Sequence, residues 1–373
     1  MRVLGFMTGT SLDAVDMAVL ETDGHAISAF GPAGERKLTE ATREIMLDAT
    51  RQALAWPRGE PEPAIFAEAA AAGANEHLAA AEEFLAANKL KWSDIDLIGM
   101  HGQTVLHERP QGGRVGRTVQ LGDASLLATK SGVPVAHDFR TADVAAGGEG
   151  APLAPIYHLA RARASGLEPP LAVLNVGGVA NVTFWSGNDD IAAFDTGPGN
   201  GMIDLMVQAR GAGRFDDKGR YASVGQVNQG ALAGLLGHEY FRIPAPKSLD
   251  RFDFSLQPLD KLELEDAAAT LVAFMAEAVG LGFDTMGQVP RELVVTGGGR
   301  HNPEIMKALA QRLPVPVRAA EHYGWRGDAI EAEAFAYLAA RTAKGLPISF
   351  PKTTGVPKPM TGGRIVNPDG QPA

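Results

Sequence analysis

Short apolar runs of strand length alternate with polar turns from the first residues of the chain. Val3–Thr8 and Met17–Glu21 flank the polar turn Gly9–Asp16, which predicts a β-hairpin with residues 12–14 at its tip. A Walker-type phosphate loop opens a helix instead and carries a lysine that this turn lacks. We therefore expect the first glycine turn to join two strands.

The second half of the chain begins with the same pattern. The strand-like run Leu171–Asn175 leads into Gly177 and Gly178, and two more apolar runs, Val182–Trp185 and Ile191–Phe194, follow. Two halves that each open with a strand, a glycine turn and a strand indicate an internal duplication.

A third glycine turn follows the apolar run Glu292–Thr296. Gly297 and Gly298 come directly after it, and Asn302 is a suitable N-cap for a helix over Glu304–Leu313. Because glycine lets backbone N–H groups approach an anion closely, the three turns are expected to hold the phosphates and nucleoside of one nucleotide. Each glycine pair taken alone is also typical of an ordinary tight turn.

Alanine-rich stretches between the turns predict helices at about 40–55, 62–88 and Ile156–Ala164. The run Asp328–Ala343 predicts another helix, whose small residues favour close packing against a second helix at a possible hinge. The tail beyond Pro347 shows no periodicity and predicts no element.

Polar side chains collect at the ends of two predicted strands. Asp96–Met100 predicts a buried strand that delivers His101, Gln103 and Thr104 to its end, and Arg140 stands at another strand end, two residues after an aspartate. A strand-end cap and a structural Arg–Asp pair are the ordinary explanations. His101 is not a metal candidate, because no second histidine or carboxylate follows at metal-site spacing.

The length of the chain indicates two domains. It has 373 residues, 45% of them apolar, and one hydrophobic core rarely grows to that size. We predict an α/β fold with duplicated mixed-sheet domains and flanking helices around a central cleft. The predicted lobes are 1–168 plus 328–373 (N-terminal) and 169–327 (C-terminal).

Charge and residue usage exclude several classes of protein. A formal net charge of −10 argues against a nucleic-acid partner, which requires clustered Lys and Arg. The chain has no cysteine, which excludes disulfides, thiolate metal sites and cysteine nucleophiles. Because no uninterrupted apolar segment of about 18 residues and no signal-peptide pattern is present, we expect a cytoplasmic protein without a membrane partner.

Asp195 is the strongest catalytic candidate in the sequence. It follows the apolar run Ile191–Phe194 and precedes Gly197 and a helix predicted from about Met202, so helix N-terminal amides are expected beside it. An ordinary aspartate has a pKa of about 3.9, so its carboxylate is ionised at neutral pH and can accept a proton. The alternative is that Asp195 merely caps that helix.

The order of these motifs resembles the actin, hexokinase and Hsp70-like ATPases, in which two phosphate hairpins precede an adenosine-binding unit and a closing helix. Within that group, the chain closely resembles the anhydro-N-acetylmuramic acid kinase family up to about residue 342. The matching segments are Met7–Asp13, His101–Thr104, Asp138–Arg140, Gly148–Leu153, Asn175–Gly178, Phe194–Asn200, Pro246–Ser248 and Gly297–Gly299.

This resemblance implies a two-lobed kinase that uses ATP and Mg²⁺ and forms a homodimer. It would phosphorylate O6 of 1,6-anhydro-N-acetylmuramic acid while water opens the anhydro bridge at C1, giving N-acetylmuramic acid 6-phosphate during cell-wall recycling. Asp195 would be the base that activates this water.

The resemblance also implies contact residues for both substrates. Arg140 would engage the lactyl carboxylate of the sugar bidentately. Glu331 would approach the sugar, although a glutamate at a helix start is favourable through the helix dipole alone. The sugar-side candidates are His101, Gln103, Thr104, Arg140 and Glu331. The nucleotide-side candidates are Gly9, Thr10, Ser11, Leu12, Asp13, Ala14, Val15, Asp16, Gly177, Gly178, Gly297 and Gly298, with Asp13 as the magnesium ligand.

Two residues depart from the expected pattern. Met7 stands where the wider superfamily usually carries an aspartate, so magnesium would fall to Asp13 or Asp16. Ala14 stands where the family has glycine. If that position requires positive φ, alanine costs about 1 kcal/mol and loosens the phosphate contact.

Other functions remain open from the sequence alone. A different sugar or acid kinase of the same superfamily is the main alternative. A non-catalytic sugar sensor is a second, although such proteins usually carry a DNA-reading helix-turn-helix and here residue 3 already begins the phosphate strand. An actin-like filament protein is a third. Lys247 is by default a loop lysine.

Overall fold

Two mixed β-sheets, one in each half of the chain, carry the fold. The computed structural model describes residues 1–9, 11–249 and 253–371. The strands are β1 (Arg2–Thr8), β2 (Ala14–Thr22), β3 (Ile27–Lys37), β4 (Leu97–Met100), β5 (Gln103–Glu108), β6 (Arg117–Leu121), β7 (Val135–His137), β8 (Leu171–Val176), β9 (Val179–Gly187), β10 (Asp190–Pro198), β11 (Leu293–Thr296), β12 (Val317–Ala319) and β13 (Arg364–Val366). The helices are α1 (Glu40–Leu54), α2 (Ile65–Ala87), α3 (Ala124–Ser131), α4 (Thr141–Ala145), α5 (Pro155–Ala164), α6 (Gly201–Ala209), α7 (Gln229–Leu236), α8 (Leu264–Asp284), α9 (Pro303–Arg312), α10 (Ile330–Ala343) and α11 (Pro351–Thr354).

The chain divides into two compact units. Unit 1 comprises Met1–Ala164 and Ala329–Ala373, and unit 2 comprises Ser165–Asp328. The sheet of unit 1 has the strand order β13-β7-β4-β1-β2-β3, with β1, β2 and β3 antiparallel and β4 and β7 parallel beside β1. Strands β5 and β6 form a separate hairpin. The predicted first hairpin is confirmed, although β2 begins at Ala14 rather than at Met17.

The sheet of unit 2 repeats this order. It runs β10-β9-β8-β11-β12, with β8, β9 and β10 antiparallel and β11 and β12 parallel beside β8. Strands β3-β2-β1-β4-β7 therefore correspond one by one to β10-β9-β8-β11-β12. The predicted α/β class and the internal duplication are confirmed.

Local signals place several helices correctly. Helices α1, α2 and α5 lie where the alanine-rich stretches predict them. Asn302 is the N-cap of α9, and its Oδ1 accepts the N–H of Glu304 at 3.0 Å. A side-chain cap satisfies a backbone donor that the first helical turn leaves without a partner, so this helix start was readable from sequence.

Helix α10 packs mainly on the sheet of unit 1 and also contacts helix α5, where Tyr157 bonds Glu333. The hinge stays a prediction. A Cβ atom built on Gly5 of β1 would lie 2.0 Å from the carbonyl oxygen of Ala332, and one on Gly99 of β4 would lie 2.3 Å from that of Phe335. The small residues of α10 therefore meet glycines of the two central strands. Such close contact of backbones leaves no room for a side chain.

Helix α8 is long and apolar enough to cross a membrane by length and composition. Of its most apolar 18-residue window, 72% is buried within the structure. Its residues Leu271, Phe274 and Met275 pack in the hydrophobic core of unit 2. This burial is typical of a core helix.

Candidate active site

Buried side chains anchor the first glycine turn, between β1 and β2. The Leu12 N–H donates to the carbonyl oxygen of Gly9 at 3.1 Å, and Leu12 adopts a φ of 54°. The side chains of Leu12 and Val15 are buried in the core of unit 1. These two residues can therefore offer a nucleotide only their backbone groups.

Both departures from the family pattern have a structural explanation. Ala14 begins β2 and pairs with Lys37, and the positive φ of this turn falls on Leu12 instead. The condition for a cost at Ala14, a positive φ, is therefore not met, because a residue in a strand pays no penalty for its Cβ. Met7 lies in β1 opposite Asp16 and packs against small side chains of unit 1.

The polar residues of this turn could hold a metal ion only with help from other ligands. Ser11 and Asp13 are exposed, and Asp16 is half-buried in β2. Thr10 lies outside the described residues. Within the described ranges, no group of three or more His, Asp or Glu side chains could bind a metal. Magnesium commonly takes one or two carboxylates plus phosphate oxygens and water, so a single aspartate here fits that donor set.

The second glycine turn, between β8 and β9, is hydrogen-bonded to the residues that precede α6. The Gly199 N–H donates to the Gly178 carbonyl oxygen at 3.0 Å, and the Asn200 N–H donates to that of Gly177 at 2.8 Å. A Cβ atom on Gly178 would meet nothing within 4 Å. The backbone of Gly178 is therefore open to a ligand on the side where a side chain would stand.

Asp195 lies inside β10, and a loop some fifty residues later holds it. Its N–H donates to the Lys247 carbonyl oxygen at 3.0 Å, its Oδ2 accepts the Leu249 N–H at 2.7 Å, and its carbonyl oxygen accepts the Tyr240 hydroxyl at 2.5 Å. Asn200 is the N-cap residue of α6. The alternative role of Asp195 as helix cap is therefore wrong, and so is its expected position after the strand. Sequence reasoning missed Tyr240 and Leu249.

Lys247 contributes a positive charge to the same loop. Its Nζ donates to the Tyr240 carbonyl oxygen at 3.1 Å and stands 4.3 Å from the centre of the Tyr240 ring. Burial lowers the pKa of Lys247, and the charge of Asp195 opposes that shift. The only sequence signal for Lys247 was its place in the Pro246–Ser248 motif.

The third glycine turn follows β11. Gly297 has a φ of 76°, and a Cβ atom there would lie 2.4 Å from the Asn175 Oδ1, so this position requires glycine. At Gly298 a Cβ atom would meet nothing within 4 Å. The buried Arg300 donates to the Gly297 carbonyl oxygen at 2.8 Å and pairs with Glu321 at 2.8 Å. Gly297 therefore shapes the turn, whereas Gly298 leaves backbone open for a ligand.

His101 and Arg140 meet in unit 1. The Arg140 Nε donates to the His101 Nε2 at 3.0 Å, and the Arg140 Nη1 donates to the Gly150 carbonyl oxygen at 2.7 Å. The Phe335 ring of α10 lies 4.5 Å from the His101 ring. The Arg–Asp alternative for Arg140 is not observed with its neighbour, because Asp138 pairs with Arg364 at 3.2 Å.

Burial and neighbouring charges shift the pKa values of Arg140, His101 and Glu331. Burial lowers the pKa of Arg140 to about 10, with Glu331 and Asp143 opposing, so the guanidinium stays charged at neutral pH. Burial and the nearby Arg140 hold the pKa of His101 well below its ordinary value, so the imidazole is neutral. Glu331 is exposed at the start of α10, although the surrounding protein raises its pKa and Arg140 opposes that rise. A cation and a neutral ring are thus in direct contact, and Glu331 is near enough for its charge to affect the pKa of the cation.

Gln103 and Thr104 are the first two residues of β5, so the alternative that they merely cap the preceding strand is wrong. The Gln103 side chain is buried, and its Nε2 donates to the Thr104 carbonyl oxygen at 3.3 Å. Its Oε1 has no hydrogen-bond partner among the described residues. Thr104 accepts a hydrogen bond from Gln120 of β6 at 3.4 Å. A buried acceptor without a partner is costly, which marks Gln103 as a candidate for ligand contact.

Asp204, in the first turn of α6, is expected to destabilise the free protein above pH 6. Burial raises its pKa to about 6 from 3.8, Asn200 opposes through a hydrogen bond, and Asp216 adds to the rise. Stability is therefore lost as the pH rises from about 4 through about 6. We expect Asp204→Asn to raise the free energy of unfolding by about 1–2 kcal/mol near pH 8, discounted for partial exposure, and to have little effect near pH 4.

Urea unfolding at the two pH values measures this effect. The exposed Asp260→Asn, in the same unit, is the matched control and should change stability by less than about 0.5 kcal/mol. An equal gain for Asp204→Asn at both pH values would contradict the explanation.

Fold and turns together define the class of this protein. Two α/β units of one strand order, each opening with a glycine-turn hairpin, are the duplicated fold of the actin, hexokinase and Hsp70-like ATPases. A sequence model described as anhydro-N-acetylmuramic acid kinase matches residues 1–368. The chain belongs to the anhydro-N-acetylmuramic acid kinase family.

Bacterial proteins similar to this chain carry the name of this family. The chain is 79% identical to an anhydro-N-acetylmuramic acid kinase of Phenylobacterium zucineum, over 99% of this chain and 100% of the relative. It is 72% identical to one of Caulobacter vibrioides, over 98% of this chain and 99% of the relative. It is 48% identical to one of Brucella anthropi, over 97% of this chain and 98% of the relative. The protein is an enzyme, a kinase that takes ATP and a sugar, so the sensor and filament alternatives do not hold.

Proposed function

We propose that the enzyme transfers the γ-phosphoryl group of ATP to O6 of 1,6-anhydro-N-acetylmuramic acid while water opens the anhydro ring. The products are ADP and N-acetylmuramic acid 6-phosphate, formed during cell-wall recycling in the cytoplasm. The functional lobes in this proposal are residues 1–168 with 328–373 and residues 169–327.

Asp195 is the general base of the proposed reaction. It takes a proton from water, the water oxygen forms a bond to C1, and the C1–O6 bond breaks. O6 then bonds to the γ-phosphorus as the bond to the β-phosphate oxygen breaks, so atoms and charge balance. An aspartate suits this task because its carboxylate is ionised at neutral pH.

The observation that carries the proposal is the fixed position of Asp195. Three hydrogen bonds from one loop, through Tyr240, Lys247 and Leu249, hold its backbone and one carboxylate oxygen. A base whose carboxylate is fixed by a backbone N–H, here that of Leu249, loses little entropy when it meets a positioned water molecule. This arrangement supports a catalytic role for Asp195.

Arg140 is the proposed anchor for the lactyl carboxylate of the sugar. A guanidinium has five N–H donors in a planar fork, and His101 and Gly150 engage two of those of Arg140. The N–H groups of Arg140 that these two bonds leave over can donate two parallel hydrogen bonds to a carboxylate. His101 and Glu331 are proposed to contact the sugar beside it, with Gln103 and Thr104 as further contacts.

The glycine turns are the proposed nucleotide contacts. Residues 9–16 and Gly177 with Gly178 would face the phosphates, and Gly297 with Gly298 would face the adenosine. Magnesium, when bound, would neutralise phosphate charge, and Asp13 is its proposed protein ligand.

Arg140→Gln is expected to raise the KM for the anhydro sugar by about 30- to 100-fold, because a charged, bidentate contact is lost. The KM for ATP should stay within about twofold, since this side chain is not assigned to the nucleotide. Steady-state kinetics with each substrate varied in turn measure both constants. Arg43→Gln, at a partly exposed position of α1, is the control. An equal rise in both KM values for Arg140→Gln would contradict the assignment.

Mass analysis of the product tests the proposed function. Incubation with ATP, magnesium and the anhydro sugar should give a product heavier by one phosphoryl group and one water. A product heavier by the phosphoryl group alone would favour an ordinary sugar kinase. Chelation of magnesium should abolish turnover. Sedimentation velocity tests the homodimer that the family resemblance implies.

A further inference from the structure

The C-terminal segment, which showed no sequence periodicity, is built into unit 1 beside Arg140. Strand β13 pairs antiparallel with β7, which ends three residues before Arg140. Helix α11 follows the buried Ser349, and the side chains of Thr353 and Thr354 at its end are buried. Buried hydroxyls require partners, so their hydrogen bonds show what the segment supports.

Thr354 is bonded to a buried carboxylate. Its hydroxyl donates to the Asp143 Oδ2 at 2.5 Å, and its carbonyl oxygen accepts the Glu149 N–H at 2.6 Å. The other carboxylate oxygen of Asp143 accepts the Gly150 N–H at 2.7 Å. Asp143 is 2% exposed, so each of these contacts replaces water that the carboxylate has lost.

The turn that Asp143 holds is the one that orients Arg140. A Cβ atom on Gly148 would lie 2.3 Å from the Asp143 Oδ1, so the turn fits closely around this carboxylate. The Gly150 N–H binds Asp143, and the Gly150 carbonyl oxygen accepts the Arg140 Nη1 at 2.7 Å. A continuous series of hydrogen bonds therefore runs from Thr354 through Asp143 and Gly150 to Arg140.

We propose that Thr354 and Asp143 are positioning residues for the sugar: they hold Gly150 where its carbonyl oxygen aims the Arg140 guanidinium at the substrate carboxylate. This inference rests on the proposed function, because Arg140 is assigned there to the sugar. The hydroxyl of Thr354 matters because, of the two side-chain hydrogen bonds that Asp143 makes with described residues, one is lost without it. The turn then loses its fixed geometry, and the two parallel bonds of a guanidinium to a carboxylate depend on that geometry.

Thr354→Val keeps the shape of the side chain and removes the hydroxyl. We expect the KM for the anhydro sugar to rise about tenfold and the KM for ATP to change by less than about twofold. Thr354→Ser restores the hydroxyl and should bring the sugar KM back to within about twofold of wild type. If Thr354→Val does not fold, Thr354→Ala is measured by the same criteria.

Thr353→Val is the matched control. Thr353 is a buried neighbour whose hydroxyl bonds only Phe350 among the described contacts. It should leave the sugar KM within about twofold, because it lies outside the series that ends at Arg140. A rise for Thr353→Val equal to that for Thr354→Val would overturn the proposal in favour of a general effect on folding.

A double-mutant cycle tests the path through Arg140. In the Arg140→Gln background, Thr354→Val should lower kcat/KM for the sugar by less than about twofold further, because the group that it positions is gone. A full tenfold loss in that background would overturn the proposal. If Arg140→Gln raises the sugar KM and Thr354→Val does not, only this inference fails; if Arg140→Gln has no effect, the proposed sugar contact fails first.

Discussion

Replacing Asp195 with asparagine is expected to lower kcat by about 10²- to 10⁴-fold, the usual contribution of one general base. Asparagine keeps the size of the side chain, and its Oδ1 can still accept the Leu249 N–H that Asp195 binds. It cannot take the proton of the attacking water. The KM values for ATP and sugar should therefore change by less than about threefold, since binding is preserved and chemistry is lost.

Asp190→Asn is the matched control for this substitution. Asp190 is an exposed aspartate at the start of the same strand, β10, where Ser186 donates to its carboxylate. Its replacement should leave kcat within about twofold, as surface substitutions usually do. An Asp195→Asn enzyme with activity within a few-fold of wild type would remove Asp195 from the reaction.

Gly5→Ala is expected to destabilise the protein by about 2–3 kcal/mol or more, because overpacking against a fixed backbone forces elements apart. The added Cβ would lie 2.0 Å from the Ala332 carbonyl oxygen and 2.6 Å from the Ala336 nitrogen, both backbone atoms of α10. Neither can move without shifting the helix. Chemical unfolding monitored by circular dichroism measures the loss.

Gly34→Ala provides the control in the same sheet. A Cβ atom there would meet only the Phe84 ring, at 3.4 Å, which is ordinary van der Waals contact. We expect its unfolding free energy to stay within about 1 kcal/mol of wild type or to rise, since alanine reduces the entropy of the unfolded chain. A Gly5→Ala protein as stable as the Gly34→Ala protein would contradict the close contact between the backbones of β1 and α10.

Elements with strong local patterns were predictable from the sequence. The apolar runs that became β1, β4, β8 and β11 are buried strands whose composition alone identifies them. Glycines between these strands and their neighbours marked the turns. The cap Asn302 identified the start of α9 for a reason that is wholly local.

Elements that depend on distant partners were not predictable. Strand β3 carries exposed and half-buried residues, including Gly31 and Pro32, and exists because β2 pairs with it. Strand β13 and helix α11 likewise form against residues more than 200 positions earlier. Propensity and periodicity contain no signal for such pairing.

In the candidate site, too, some residues were predictable from local motifs and others depend on distant partners. Asp195 was identifiable from its motif, but the residues that hold it, Tyr240 and Leu249, lie 45 and 54 positions away. Likewise, Arg140 was identifiable, whereas its support through Thr354 lies in a segment without periodicity. Sequence motifs thus named the groups that could react, and only the folded chain shows what orients them.

The central claim is that ring opening by water accompanies phosphorylation, and solvent labelling tests it most directly. The reaction is run in oxygen-18 water, and the product is fragmented in a mass spectrometer to locate the label. The mechanism predicts one heavy oxygen at C1 and none in the phosphoryl group or at O6. A phosphorylated product that retains the anhydro bridge, or that carries the label at O6, would contradict it.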